Sequence, residues 1–114
     1  NTREISDGML AIRVAEAGAE CTIVLRGELD LANTATAEAQ VTEAMANGSS
    51  VVIDMRQLEF IDSTGIALLV RAIQSDESAG RLRFVPSESD AVKKVLGLTG
   101  VGERMALADG SAPA

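Results

Sequence analysis

The 114-residue sequence contains no histidine, no tryptophan and no tyrosine, and it has one cysteine, two phenylalanines and two prolines. Without histidine a Ser-His-Asp triad, a Cys-His dyad and a His-ligated metal cannot be assembled, and a single cysteine cannot make a zinc ribbon. Cys21 has no partner in the chain for a disulfide, which points to a reducing cytoplasm. It falls in an alternation with Ile23, Leu25 and Leu29, the setting of a small buried hydrophobe. Bases are scarce too: ten Lys and Arg face seventeen Asp and Glu, for a net charge of −7. With only Phe60 and Phe84 as rings, the chain has neither the basic footprint nor the stacking platform of a direct nucleic-acid binder. No apolar run approaches the ~18 to 20 residues that span a bilayer, and Asn1-Thr2-Arg3-Glu4 lacks a signal-peptide layout. A soluble cytoplasmic protein with no membrane insertion, no metal and no cofactor is expected.

The length suits one domain. Area scaling gives roughly 5,900 Å² folded against roughly 17,000 Å² unfolded, so about two thirds of the surface can be buried without disulfides or metals. Residues 9 to 15 and 21 to 29 alternate every second position around Gly18, which reads as a hairpin. Asn33 can cap a helix carrying Ala37, Val41, Ala44 and Met45 on one face and ending at Asn47-Gly48. Val51-Val52-Ile53 is a continuous β-branched run, as in a central parallel strand covered on both faces. From Ser63, the apolar residues Ile66, Leu69, Val70 and Ile73 fall at helical spacing, and Gly80 closes a helix over 63 to 79. Leu82 to Val85 reads as a strand, Ser87 to Leu96 as a third helix and Met105 to Leu107 as a weak last strand. The order β-β-α-β-α-β-α-β implies an α/β domain over 1 to 108, a mixed sheet of about five strands covered by helices, with a flexible tail at 109 to 114.

Phe60-Ile61-Asp62-Ser63-Thr64-Gly65 lies between the central strand and the strongest helix, so a carboxylate and two hydroxyls stand at a helix N-terminus. The unpaired amides of the first turn and the helix dipole favour an anion there by ~0.3 to 1 kcal/mol, which suits a phosphate on Ser63 or Thr64. On spacing alone, Asp62 or Ser63 serves equally well as a plain N-cap. Gly97-Leu98-Thr99-Gly100-Val101-Gly102 is superficially like a nucleotide loop, yet it follows a helix and lacks the Lys-Ser or Lys-Thr pair, so it reads as a turn.

Val51-Val52-Ile53-Asp54-Met55 followed by Phe60-Ile61-Asp62-Ser63-Thr64-Gly65-Ile66-Ala67-Leu68-Leu69 resembles the signature of the STAS domain family, which covers sulfate transporters and anti-sigma factor antagonists. Gly27-Glu28-Leu29-Asp30-Leu31 is similar to the family's upstream motif and Lys94 to Val101 to its downstream helix and turn, so the resemblance spans roughly 8 to 108. Asp54-Met55-Arg56-Gln57 departs from the family by being more cationic. The resemblance implies a stand-alone anti-sigma factor antagonist, a binding module rather than an enzyme. On this reading the chain binds a serine-kinase anti-sigma factor and releases its sigma factor. Phosphorylation on Ser63 switches it off and a serine phosphatase restores it. The same resemblance implies a partner surface of Asp30, Asp62, Ser63, Thr64 and Gly65. From the residues alone, Asp30 could equally end its strand, and Asp54 could be an ordinary turn residue. The alternative is a STAS subunit of a membrane transport assembly or a stress-sensing scaffold.

Overall fold

The alternating residues pair as expected: β2 (Leu10–Ala17) and β3 (Glu20–Leu29) form an antiparallel hairpin around Gly18, whose φ of 61° suits glycine. The computed structural model describes residues 1–108, and the expected flexible tail at 109 to 114 lies outside them. A first strand that the sequence pattern did not indicate, β1 (Thr2–Asp7), pairs antiparallel with β2. The chain then crosses through α1 (Thr34–Ala46) to β4 (Ser50–Ile61), which lies parallel to β3. It returns through α2 (Ser63–Ser75) to β5 (Leu82–Val85), parallel to β4. α3 (Asp90–Thr99) and a 3-10 turn at Val101–Arg104 complete the described chain. The result is a five-stranded mixed sheet in the order β1-β2-β3-β4-β5.

Several boundaries differ from the sequence expectation for local reasons. The strand expected at Met105 to Leu107 is a single bridge from Phe84 to Leu107, so β1 supplies the fifth strand instead. α2 stops at Ser75 rather than running to Gly80, because the Asp76 carboxylate turns to accept the N–H groups of Arg81 and Leu82 (2.8 and 2.9 Å). α3 begins at Asp90 rather than Ser87: Ser89 is its N-cap, and the buried Ser87 hydroxyl donates to the Leu58 carbonyl at 2.7 Å. Gly100, at φ 77°, ends α3 as a left-handed cap, which accounts for a glycine at that position.

β4 is an interior strand parallel to both its neighbours, as the Val51-Val52-Ile53 run indicates, but among the described residues only one face of the sheet carries helices. Leu10, Ile12 and Val14 of β2, Ile23 and Leu25 of β3, Val51, Ile53 and Met55 of β4 and Phe84 of β5 all point to that side and are buried. There they meet Ala37 and Val41 of α1, Leu68, Leu69 and Ala72 of α2, and Val92 and Leu96 of α3 in one core. Val24, Val52 and Val85 point the other way and stay only half-buried. Expectation and structure part here because a β-branched run reads the same whether its second face is packed or open.

Candidate partner-binding site

The site forms where β4 gives way to α2. Asp62 has extended backbone, so it sits at the N-cap of α2 with its carboxylate folded over the first turn. Oδ1 accepts the Thr64 and Gly65 N–H groups at 2.9 and 3.1 Å and the Thr64 hydroxyl at 2.5 Å. Oδ2 accepts the Leu31 N–H at 3.0 Å, which ties the β3–α1 loop to the start of α2. The Thr64 hydroxyl is the main reason that the Asp62 carboxyl is held below the usual carboxylate range, and the three backbone N–H groups add to it against the effect of partial burial.

This arrangement revises the expectation of free first-turn amides. The Thr64 and Gly65 N–H groups already serve Asp62, so they do not await an added phosphate. Of the two hydroxyls only that of Ser63, the first residue of α2, is exposed and makes no hydrogen bond within the described chain. Thr64 is half-buried and committed to Asp62. Gly65 acts by packing: a Cβ there would stand 2.6 Å from Cγ1 of Ile61 and 3.0 Å from the Leu29 side chain, so its missing side chain lets α2 close on the sheet.

Asp30 follows β3 and is brought to the same end of the sheet. Its carboxylate accepts the Ala32 N–H at 3.0 Å and its carbonyl accepts the N–H groups of Asn33 and Thr34, which makes the loop a closed turn. Asn33 is the N-cap of α1 by position but does not cap with its side chain, contrary to expectation. Instead this fully buried amide accepts the Asp30 N–H and donates to the carbonyls of Glu28 and Asp7, holding the loop against the β1–β2 turn. These three bonds, one of them to the distant Asp7, outweigh a single local cap. Around Ser63 the same end of the sheet exposes Leu31 (76%), Met9 (66%) and Phe60 (45%), apolar residues that the sequence pattern had not singled out. Met9 and Leu31 are apolar residues in turns and Phe60 lies near the end of β4, and nothing else in the sequence marks them.

Asp54 is not part of this site. It lies inside β4, only 5% exposed, on the helix-free side of the sheet, and grips the Arg56 guanidinium at 2.7 Å. Burial raises its carboxyl, but the bonds from Arg56 outweigh that and leave it below the usual range. The cationic Asp54-Met55-Arg56-Gln57 stretch is where the β3–β4 register shifts, a bulge within the strand rather than a turn after it. Cys21 is buried, and burial pushes its thiol up. Among the described residues no group of three or more Cys, Asp and Glu side chains could hold a metal ion, and no helix is long and apolar enough to cross a membrane.

Comparison with known proteins agrees with this architecture. The family model described as "Mlab, STAS domain" matches residues 12–108. No curated protein gives a significant sequence match. Among solved structures, an anti-sigma factor antagonist from Mycobacterium paratuberculosis superposes with a TM-score of 0.77 at 20% identity, over 88% of this chain and 86% of that one. The unphosphorylated form of the anti-sigma factor antagonist SpoIIAA gives 0.71 at 22% identity over 87% and 89%. The phosphorylated form of SpoIIAA, a Bacillus cell fate determinant, gives 0.63 at 22% over 87% and 92%. At these identities the likeness establishes the fold.

Proposed function

The chain belongs to the STAS domain family, and from that premise we propose that it is an anti-sigma factor antagonist, a binding module with no catalysis of its own. In its unmodified form it binds a serine-kinase anti-sigma factor through the surface around Asp30, Asp62, Ser63, Thr64 and Gly65, and so frees the sigma factor. Phosphorylation of Ser63 by that kinase switches it off, and a serine phosphatase resets it in the cytoplasm. The observation that carries the reading is the contrast between two neighbouring hydroxyls: that of Ser63 is exposed and unbonded, whereas that of Thr64 is held by Asp62. A kinase can take the first without breaking a bond in the fold.

The exposed Leu31, Met9 and Phe60 supply apolar contact area around the hydroxyl, and Asp62 and Gly65 fix the turn that presents it. The direct test is incubation with a serine-kinase anti-sigma factor and ATP followed by peptide mass spectrometry. The reading expects one phosphate, on Ser63. A dominant phosphate on Thr64 or Ser75 would reject it. Tight binding that ignores phosphorylation would favour the alternative, a STAS subunit of a membrane transport assembly or a stress-sensing scaffold using the same turn as a permanent contact.

A further inference from the structure

We propose that the β1–β2 turn belongs to the partner surface and that its Met9 side chain is the contact that selects the partner, an anti-sigma factor presenting an apolar recess rimmed by lysine or arginine. The inference rests on the functional reading above and names the chemistry of its partner. Met9 stands in the two-residue turn between Asp7 and Leu10, with its side chain largely in water. Three restraints nonetheless hold that turn. The Glu28 N–H donates to the Met9 carbonyl at 2.9 Å, and the buried Asn33 amide donates to the Asp7 carbonyl at 3.3 Å. Gly27 lets the two backbones close, since a Cβ there would stand 2.2 Å from the Met9 carbonyl oxygen. A backbone fixed this firmly adds little ordering cost when its side chain is covered, which is how an anchor gains affinity.

The same restraints set Met9 beside the site. Glu28 pairs with Phe60 across β3 and β4, so Met9 and Phe60 flank it about 10 Å apart, two strand spacings. Leu31 follows three residues after Glu28, its N–H held by Asp62, the neighbour of Ser63. Three of the four large apolar side chains exposed among the described residues thus share the end of the sheet that presents Ser63, while the fourth, Leu98, lies on α3. Charge describes the rim. Asp7, Glu28, Asp30 and Asp62 stand among these residues, and no lysine or arginine of the described chain ion-pairs with any of them. Arg26 is on the same side of β3 as Glu28; four carboxylates less this one guanidinium leave an excess of three negative charges. Basic side chains around an apolar recess complement such a surface. Met9 precedes residues 12–108, the segment that the family model matches, whereas Ser63 lies within it. The Met9 contact can therefore distinguish partners that the Ser63 turn does not.

The test is calorimetric titration of the serine-kinase anti-sigma factor that phosphorylates Ser63 with the parent chain, Met9→Ala, Met9→Leu and Leu98→Ala. Met9→Ala is expected to weaken binding about tenfold or more, Met9→Leu to stay within about twofold of the parent, and Leu98→Ala to leave binding unchanged. Added salt should weaken the parent, and Glu28→Gln should reduce that dependence. Footprinting of the unsubstituted chain asks the same question without a variant. Met9 alone of the four methionines is exposed, so dilute hydrogen peroxide, which transfers one oxygen to its thioether and leaves water, should mark it in the free chain and spare it in the complex. Equal affinity of parent and Met9→Ala, or Met9 oxidised as fast in the complex as in the free chain, overturns this inference while the functional reading stands. If no serine-kinase anti-sigma factor binds or phosphorylates the parent, the functional reading falls and this inference with it.

Discussion

Replacing Asp62 separates what holds the candidate site together from what it presents. Asp62→Ala removes the acceptor for the N–H groups of Thr64, Gly65 and Leu31 and for the Thr64 hydroxyl. Loss of the helix cap costs ~0.5 to 2 kcal/mol. The Leu31 N–H and the Thr64 hydroxyl can turn to water, so each adds no more than the ~0.5 to 1.5 kcal/mol net value of a hydrogen bond. A total near ~2 kcal/mol lowers the melting temperature of a domain of this size by about 8 °C. Asp62→Asn keeps an oxygen in the capping position and should cost under ~1 kcal/mol at pH 7. Ser63→Ala removes a hydroxyl without a bond and should stay within ~0.5 kcal/mol of the parent. The pH dependence follows from the lowered Asp62 pKa. Such a carboxylate contributes stability that is present above its unfolded-state pKa of about 4 and is lost as the pH falls through the lower folded-state value. The gap between parent and Asp62→Asn should therefore narrow below about pH 4. Urea unfolding at pH 7, repeated down to about pH 2.5, measures both effects. If Ser63→Ala costs as much as Asp62→Ala, or if the gap ignores pH, the assignment of the latch to Asp62 is wrong.

Three further outcomes follow from the packing. Gly27 sits at φ 102° with its notional Cβ 2.2 Å from the Met9 carbonyl oxygen, so Gly27→Ala should cost more than ~3 kcal/mol, and near-native stability in denaturant would refute the close approach. Gly65→Ala gains up to ~1 kcal/mol of helix propensity but must push aside Ile61 and Leu29, at ~1 to 3 kcal/mol, so a net loss is expected in thermal melts and a clear gain would contradict the contact. Arg56→Ala removes the guanidinium and leaves only the backbone N–H of residue 56, at 3.0 Å, to oppose burial of Asp54, so its carboxyl should rise in an NMR pH titration; an unmoved carboxyl would show that Arg56 is not its counter-charge.

The elements that could be read from the sequence are those whose apolar residues face one core. The i, i+3, i+4, i+7 spacing from Ile66 marks α2, and the alternation from Cys21 marks β3, because burial on one side alone dictates both. β1 escaped since its inward residues are Arg3, Ile5 and Asp7, and two of these meet α1 through polar bonds, Arg3 to Gln40 and Asp7 to Thr36. The bulge near Arg56 shifts the alternation of β4 partway along, so only its first residues look like a strand. At the site, Asp62 and Ser63 were visible as a polar pair before a helix. Their division of labour was not, because it depends on the Leu31 N–H, which lies 31 residues away in sequence. Asn33 misled in part for the same reason: its partner Asp7, 26 residues away in sequence, is brought to it only by the sheet.

The central claim is that Ser63 belongs to an interface shaped for a neutral hydroxyl. Phosphate adds about −1.5 to −2 charge, taking the chain from −7 to roughly −9. On the free protein the new group stands in water at the first residue of α2, where the helix dipole partly offsets repulsion from Asp62, so the fold survives. Against a partner the same dianion must be desolvated without a counter-charge, which costs several kcal/mol, and ~4 kcal/mol is about a thousandfold in affinity. Calorimetric titration of a serine-kinase anti-sigma factor with unmodified and Ser63-phosphorylated protein, alongside thermal melts of both forms, measures this directly. The account predicts melting temperatures within a few degrees of each other and an affinity lower by orders of magnitude after phosphorylation. An unchanged affinity, or a collapse of the melting temperature, would contradict it.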